Sequence, residues 1–191
     1  MTNPVRVVAL AGSLKANSLN HKLVSYAAKL AGDKGAHVDL IRLNDYDMPL
    51  FSEDIEKGEG PNAAVRDLRS LVAQADVLLV ATPEYNGSIT GVLKNTIDWL
   101  SRPIKDSDVG PAFKGKVVGL MATSPGPIGG LRGLNHARDV FYNVGAIVMP
   151  EPVAVGRGFS AFDEQGDLAD EALASRIDHL VERAIKIGGA A

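Results

Sequence analysis

The sequence contains no cysteine. That absence removes disulfides, thiolate nucleophiles and Cys-ligated zinc or iron–sulfur centres. It also suits a reducing compartment. No charge of one sign dominates: 20 basic residues face 23 acidic ones, a net charge of −3. No basic field therefore invites nucleic acid or an anionic membrane surface. Long apolar runs are missing as well. The stretch MTNPVRVVALAGS carries one arginine and an apolar run too short for a secretory leader or a membrane span. A soluble, cytoplasmic protein is expected. Metal-ligand spacing is also lacking, because His21, His37, His136 and His179 are scattered without an HExxH-like pair. No metal site is expected.

What is present is a chain of 191 residues, 46% of them apolar, enough for a sizeable core in one domain spanning 1–191. Five short apolar runs rich in β-branched residues punctuate it: Val5–Ala11, Val38–Leu43, Val77–Thr82, Val117–Ala122 and Ile147–Met149. The last can be extended to Val155 past Pro150 and Pro152. Several runs are apolar at successive rather than alternating positions, the pattern of strands covered on both faces. Helical periodicity fills the gaps at Leu19–Ala31, Ala63–Gln74, Gly91–Leu100, Leu131–Val144 and Ala172–Ile187. The order βαβαβαβαβα predicts an α/β fold with a doubly wound, open parallel sheet. The segments Ser52–Pro61 and Ser101–Gly115 read as polar surface loops. Helix Gly91–Leu100 is apolar on more than one stripe, with Val92, Thr96 and Trp99 beside Leu93, Ile97 and Leu100. One face suffices for packing on a sheet, so the second stripe is expected to meet a partner subunit.

Ligands of such sheets bind beyond the carboxyl ends of the strands, where the strand order reverses. Three loops there carry unusual chemistry. After the first strand, GSLKANSLN (Gly12–Asn20) fits neither GxGxxG nor GxxxxGK[ST]. It offers Ser13, Lys15, Asn17, Ser18 and Asn20 just ahead of a helix N-terminus, a donor set for a single terminal phosphate. A plainer reading makes Ser18 the helix cap and the rest loop. After the third strand, PEYNG (Pro83–Gly87) supplies backbone N–H groups for a heteroaromatic edge, Tyr85 to stack on a flat ring, and Gly87 for close approach or positive φ. The plainer alternative has Pro83 ending the strand, Ser88 or Thr90 capping the next helix, and Tyr85 as a surface aromatic. After the fourth strand, TSPGPIGG (Thr123–Gly130) is a rigid, backbone-rich loop. A serine-hydrolase elbow at Ser124 fails, because the next residue must donate its N–H to an oxyanion and Pro125 has none.

These three stretches, GSLKANSLN, PEYNGSITGVLKNTIDWLSR and SPGPIGGLRG, resemble the NADPH-dependent FMN reductase family, in particular its bacterial quinone- and chromate-reductase-like branch. The motifs fall in the family's order, and the pattern extends from about Val5 to about Ile187. The resemblance implies a flavodoxin-like fold with five parallel strands in the order 2-1-3-4-5 and helices on both faces. It implies non-covalent FMN and a homodimer or homotetramer with the flavin near a subunit interface, here through the Gly91–Leu100 helix region. By the same resemblance, Ser13, Lys15, Ser18 and Asn20 would hold the FMN phosphate. Pro83, Glu84, Tyr85, Asn86 and Gly87 would line the isoalloxazine ring. Ser124, Gly126 and Gly129 would meet the ribityl chain or the ring edge. Two departures stand out. Lys15 replaces the family's usual Arg and gives a point charge instead of a fork, and Thr90 stands where many members have Pro.

The chemistry implied is hydride transfer from NADPH or NADH through FMN to a small-molecule acceptor such as a quinone or flavin, with chromate, azo and nitro compounds also compatible. The flavin carries the electrons, so no protein acid–base pair is expected. The alternative is a flavodoxin-like electron-transfer or flavin-binding module without direct NAD(P)H turnover. At Glu84 the backbone is expected to matter more than the charge. Arg102 and Lys105 are read either as contacts to a cofactor 2′-phosphate or as solvated loop.

Overall fold

The computed structural model describes residues 3–103 and 110–190. Strand β1 (Arg6–Ala11) leads through helix α1 (Leu19–Asp33) to β2 (His37–Ile41). A 3-10 turn, the short helix α2 (Glu53–Lys57) and α3 (Ala63–Gln74) then precede β3 (Val77–Ala81). Helix α4 (Gly91–Ser101), β4 (Val117–Thr123), α5 (Leu131–Asn143), β5 (Ile147–Val148), β6 (Val153–Val155) and α6 (Glu171–Gly188) complete the chain.

All strand pairs are parallel, and the order is β2-β1-β3-β4-β5, with β6 also on β4. The architecture is flavodoxin-like. Its reversal point lies between β1 and β3. Alternate residues of the central strands feed two separate cores. Val8, Leu10, Leu78, Val80, Val118 and Leu120 face α3, α4 and α5. Val7, Ala9, Val77, Leu79, Val117 and Met121 face α1 and α6. Every residue of β3 and β4 is buried, which is why these runs read as continuously apolar. Each fully buried Val or Leu contributes roughly 1.5–3 kcal/mol.

Three expectations are revised. The fifth strand is two pieces. Ile147 and Val148 pair with Val117 and Val118, and Val153 to Val155 pair with Met121 to Thr123. The prolines at 150 and 152 cannot donate to a ladder, and segment 149–152, whose Met149 N–H still donates to Val118 O at 2.9 Å, separates the pieces. The loop read over Ser52–Pro61 contains α2, capped by the Ser52 hydroxyl accepting from Asp54 N–H at 3.2 Å. Third, the second stripe of α4 is covered by the chain itself. The Trp99 Nε1–H donates to Pro49 O at 2.7 Å. The Phe51 ring stands edge-on to the indole at 5.1 Å. Asn95 accepts from Phe51 N–H at 2.8 Å and donates to Pro49 O at 3.0 Å. The premise that this stripe requires a partner subunit therefore does not hold.

Candidate functional site

The β1–α1 loop is fixed from below and from the side. Gly12 N–H extends the ladder to Ala81 O at 2.8 Å. A Cβ on Gly12 would come within 2.9 Å of Leu93 Cβ, so only glycine lets the loop pass this close to α4. The Thr90 hydroxyl donates to Gly12 O at 2.7 Å and accepts from Leu93 N–H at 3.2 Å, capping α4. Asn44 Nδ2 donates to Leu14 O at 2.9 Å, and Arg42 reaches Ala16 O at 3.4 Å. Ser18 is buried and caps α1, accepting from His21 N–H. Burial, with the nearby Arg42 charge second, lowers the His21 pKa. The backbone N–H groups of Ala16, Asn17, Leu19 and Asn20 have no acceptor among the described residues. Ser13 is half-buried. Lys15 is exposed, with no carboxylate partner among the described residues.

Asn20 has a different placement from its expected one. It is 4% exposed, and its amide is bonded at both ends to the last residue of β4. Nδ2 donates to Thr123 O at 2.8 Å, and Oδ1 accepts from Thr123 N–H at 2.9 Å. The side chain therefore pins the first turn of α1 to the sheet instead of facing outward.

The β3–α4 loop contains a two-residue hairpin. Tyr85 and Ser88 exchange backbone bonds at 2.9 and 3.0 Å. Asn86 and Gly87 between them both have positive φ, 52° and 80°, the signature of a type I′ turn. The Tyr85 N–H is thereby used. Those of Glu84, Asn86 and Gly87 have no acceptor among the described residues. The Tyr85 ring is 57% exposed at the rim, and Pro83 is half-buried. The Glu84 carboxylate is also engaged. It accepts from the backbone N–H groups of Arg132 and Gly133 at 3.1 and 3.2 Å and from Arg132 Nε at 2.7 Å. A carboxylate at a helix N-terminus is favourable, so Glu84 ties the hairpin to α5 through its charge. Gly133 permits this approach, since a Cβ there would meet Ser88 O at 3.2 Å.

The β4–α5 loop is clasped by the segment after β6. Ser124 N–H donates to Val155 O at 3.3 Å, Arg157 N–H to Gly126 O at 3.1 Å, and Gly158 N–H to Ser124 O at 2.9 Å. Gly126 is exposed, a Cβ on it would meet only the Ser124 hydroxyl, at 3.9 Å, and that hydroxyl lies 3.4 Å from Gly126 O. Gly129 (φ 67°) is packed against the backbone of Val155 and Gly156, where a Cβ would come within 2.7 Å. Its glycine is explained by that packing. The Thr123 hydroxyl is buried without a partner among the described residues.

Three loops are thus laced into one rim: the first to the second through Thr90, the first to the third through Asn20, the second to α5 through Glu84. Two sets of open backbone donors remain on it, at the α1 N-terminus and at the Asn86–Gly87 turn. The donor set suits a phosphate at the first and a polar ring edge at the second. Asn44, Arg42 and segment 156–158 support this rim without having been singled out in the sequence. The Asn-Gly pair and the Gly-Arg-Gly run were the available signals for the turn and the clasp. Arg102 is not on the rim. It follows the far end of α4, 11 residues or about 16 Å away. Its guanidinium pairs with Glu56 at 2.7 and 3.1 Å. Lys105 lies outside the described residues. Beside the rim, between α4 and α5, runs a groove of about 500 Å³ lined by Ile89, Gly91, Lys94, His136, Asp139 and Val140.

The sequence model of the NADPH-dependent FMN reductase family matches residues 5–160. An NAD(P)H-dependent FMN reductase from Pseudomonas aeruginosa is 36% identical over 173 residues, covering 90% of this chain and 88% of the relative. A quinone reductase from Escherichia coli is 35% identical over 191 residues, covering 98% and 96%. Among solved structures, the flavoenzyme NAD(P)H:(acceptor) oxidoreductase from Paracoccus denitrificans superposes with a TM-score of 0.81 at 30% identity, covering 96% of this chain and 97% of that one.

Proposed function

The chain belongs to the NADPH-dependent FMN reductase family and is an FMN-dependent NAD(P)H oxidoreductase, and we propose that its rim of three loops is the flavin site and that its acceptor is a quinone. When bound, FMN would supply the redox chemistry, hydride transfer between the nicotinamide and the acceptor. The observation that carries the site is the pair of open donor sets on one rim.

The residues divide by task. The α1 N-terminus, Ser13 and the Lys15 ammonium bind the FMN phosphate. Ser18 and Asn20 act behind it, holding the first turn of α1 in place. Glu84, Asn86 and Gly87 direct backbone N–H groups at the pyrimidine edge of the ring, where fixed dipoles stabilise negative charge without reorganising. Pro83 and Tyr85 wall the ring, and Ser124 and Gly126 flank the ribityl chain, with Gly129 setting the shape of that loop. No side chain moves a proton in this scheme. A ring held with one face open would suit flat acceptors such as quinones, azo dyes and nitroaromatics, and would also admit the small chromate anion. The chain acts as one flavin-binding domain over 1–191 in the cytoplasm. No helix among the described residues is long and apolar enough to cross a membrane. Its assembly is a homodimer or homotetramer. With the Trp99 stripe already covered, the second copy is placed on the α4–α5 groove of the Gly91–Leu100 region.

The test is an absorbance spectrum of the purified protein, then anaerobic mixing with NADPH and with NADH, then turnover against a quinone. Flavin bands that bleach on mixing are expected. A protein with no flavin bands before or after added FMN removes the site reading. Bound flavin that fails to bleach removes the assignment of direct nicotinamide oxidation. Light scattering at micromolar concentration tests the assembly, and a monomeric mass would contradict it.

A further inference from the structure

The segment after β6 holds a residue that none of these tasks uses. Arg157 has φ 53°, a left-handed conformation uncommon for a residue with a side chain. Four bonds keep it there. Its N–H donates to Gly126 O at 3.1 Å, and its carbonyl accepts from the Ser160 N–H at 2.9 Å and hydroxyl at 3.1 Å. Next to it, Gly158 N–H donates to Ser124 O at 2.9 Å. The flanking glycines admit no substituent. A Cβ on Gly156 would come within 2.4 Å of Pro127 O, and one on Gly158 within 2.5 Å of the Thr123 hydroxyl and 3.0 Å of Leu19 Cδ1. The backbone is therefore locked between the third loop and the first residue of α1.

Two side chains project from this clamp into solvent. Arg157 is exposed, and its guanidinium has no acceptor among the described residues. By contrast, Arg132 on the same rim is paired with Glu84 at 2.7 Å. Phe159, two residues on, is 76% exposed. A backbone fixed at positive φ thus presents an uncommitted guanidinium and an exposed aromatic ring two residues apart, one charged and one flat recognition element on the same short segment.

Resting on the flavin-site reading, we propose that Arg157 and Phe159 bind the adenosine 2′-phosphate end of NADPH, and that Arg157 sets preference for NADPH over NADH. The guanidinium forks onto a phosphate dianion, and Phe159 stacks on the adenine. The FMN phosphate already has the α1 N-terminus and Lys15, so the second phosphate monoester of the reaction, absent from NADH, is the one left for Arg157.

The test uses the FMN-loaded protein, calorimetry with 2′,5′-ADP and with 5′-AMP, and the variants Arg157→Lys, Arg157→Ala and Arg157→Gly. The glycine variant removes the side chain without straining a positive φ. Expected is a loss of roughly tenfold or more in affinity for 2′,5′-ADP, with 5′-AMP within about twofold, for both truncations, and a smaller loss for lysine. The ratio of KM for NADPH to KM for NADH rises to match. Phe159→Ala weakens both nucleotides alike. Unchanged discrimination between the two nucleotides in Arg157→Gly overturns the proposal. So does a fall in FMN affinity with discrimination intact, which assigns the guanidinium to the FMN phosphate. A wild-type protein that binds no FMN defeats the flavin site itself, a separate outcome seen before any variant is made.

Discussion

Replacing Asn20 with alanine is expected to destabilise the flavin-free protein by about 2–4 kcal/mol. The side chain serves two buried backbone groups of one residue, Thr123 O at 2.8 Å and Thr123 N–H at 2.9 Å. Both residues are almost fully enclosed. A buried backbone group left without a partner costs roughly 1–3 kcal/mol. Two such groups set an upper bound that water entering the vacated space reduces. In a chain of this size each kcal/mol shifts the thermal midpoint by about 2–4 °C, so the midpoint should fall by about 4–16 °C. The assay is thermal unfolding of apoprotein by circular dichroism, with FMN affinity measured separately. Asn20→Asp is a useful companion, because it keeps an acceptor for Thr123 N–H but faces Thr123 O with a carboxylate; it should also destabilise the apoprotein. A residue that merely contacts phosphate would give the opposite pattern, with apoprotein stability unchanged and FMN affinity alone reduced. An Asn20→Ala apoprotein that melts with the wild type would refute the assignment of this side chain to the α1–β4 seam.

Trp99→Phe removes one of the two donors to Pro49 O while Asn95 keeps the other. It should cost about 1–2 kcal/mol in urea unfolding and leave the mass seen by light scattering unchanged. A change in oligomeric state would return the stripe to an interface. Glu84→Gln takes the charge from the α5 N-terminus and should cost about 0.5–2 kcal/mol. It should also loosen FMN, since the Asn86–Gly87 turn is anchored through it; equal melting and equal FMN affinity would contradict this. The lowered pKa of His21 means that the unfolded chain takes up a proton before the folded one does. Stability from this group is therefore level above about pH 6.5 and declines as pH falls through that value towards the lower folded one. His21→Gln should flatten the decline in thermal midpoint between about pH 7.5 and 5, and an unaltered pH profile would count against it.

What sequence could reveal depended on whether the cause was local. The strands β1, β3 and β4 announce themselves because burial on both faces leaves no polar position in the run. Helix α3 runs from Ala63 to Gln74 as its periodicity indicates, with Asn62 capping it through Val65 N–H. The three site loops are legible because polar and glycine-rich chemistry concentrates after particular strands. Less visible was anything fixed by distant partners. Asn20 looks like a free amide until Thr123, 103 residues away, is placed beside it. The apolar stripe of α4 looks unclaimed until segment 49–51 folds over it. Glu84 shows its charge only when α5 arrives at its carboxylate. Some misses had local signals. Ser52 followed by Glu53 and Asp54 is a helix start, and Asn86-Gly87 between Tyr85 and Ser88 is a hairpin turn in its own right.

The interruption at 149–152 also bears on what happens when many copies of the protein meet. A parallel sheet ends in two strands whose outer backbone groups can recruit strands from other molecules. On one side this sheet stops in two residues of β5 and three of β6, with Pro150 and Pro152 between them. No run of evenly spaced donors is long enough there to template an incoming chain. On the other side, β2 is five residues long and carries His37 and Asp39. Straightening the first border, by replacing both prolines with β-formers so that 147–155 reads as one strand, would supply the missing donors. The change would extend the sheet and, by the same step, turn its margin into a surface for aggregation.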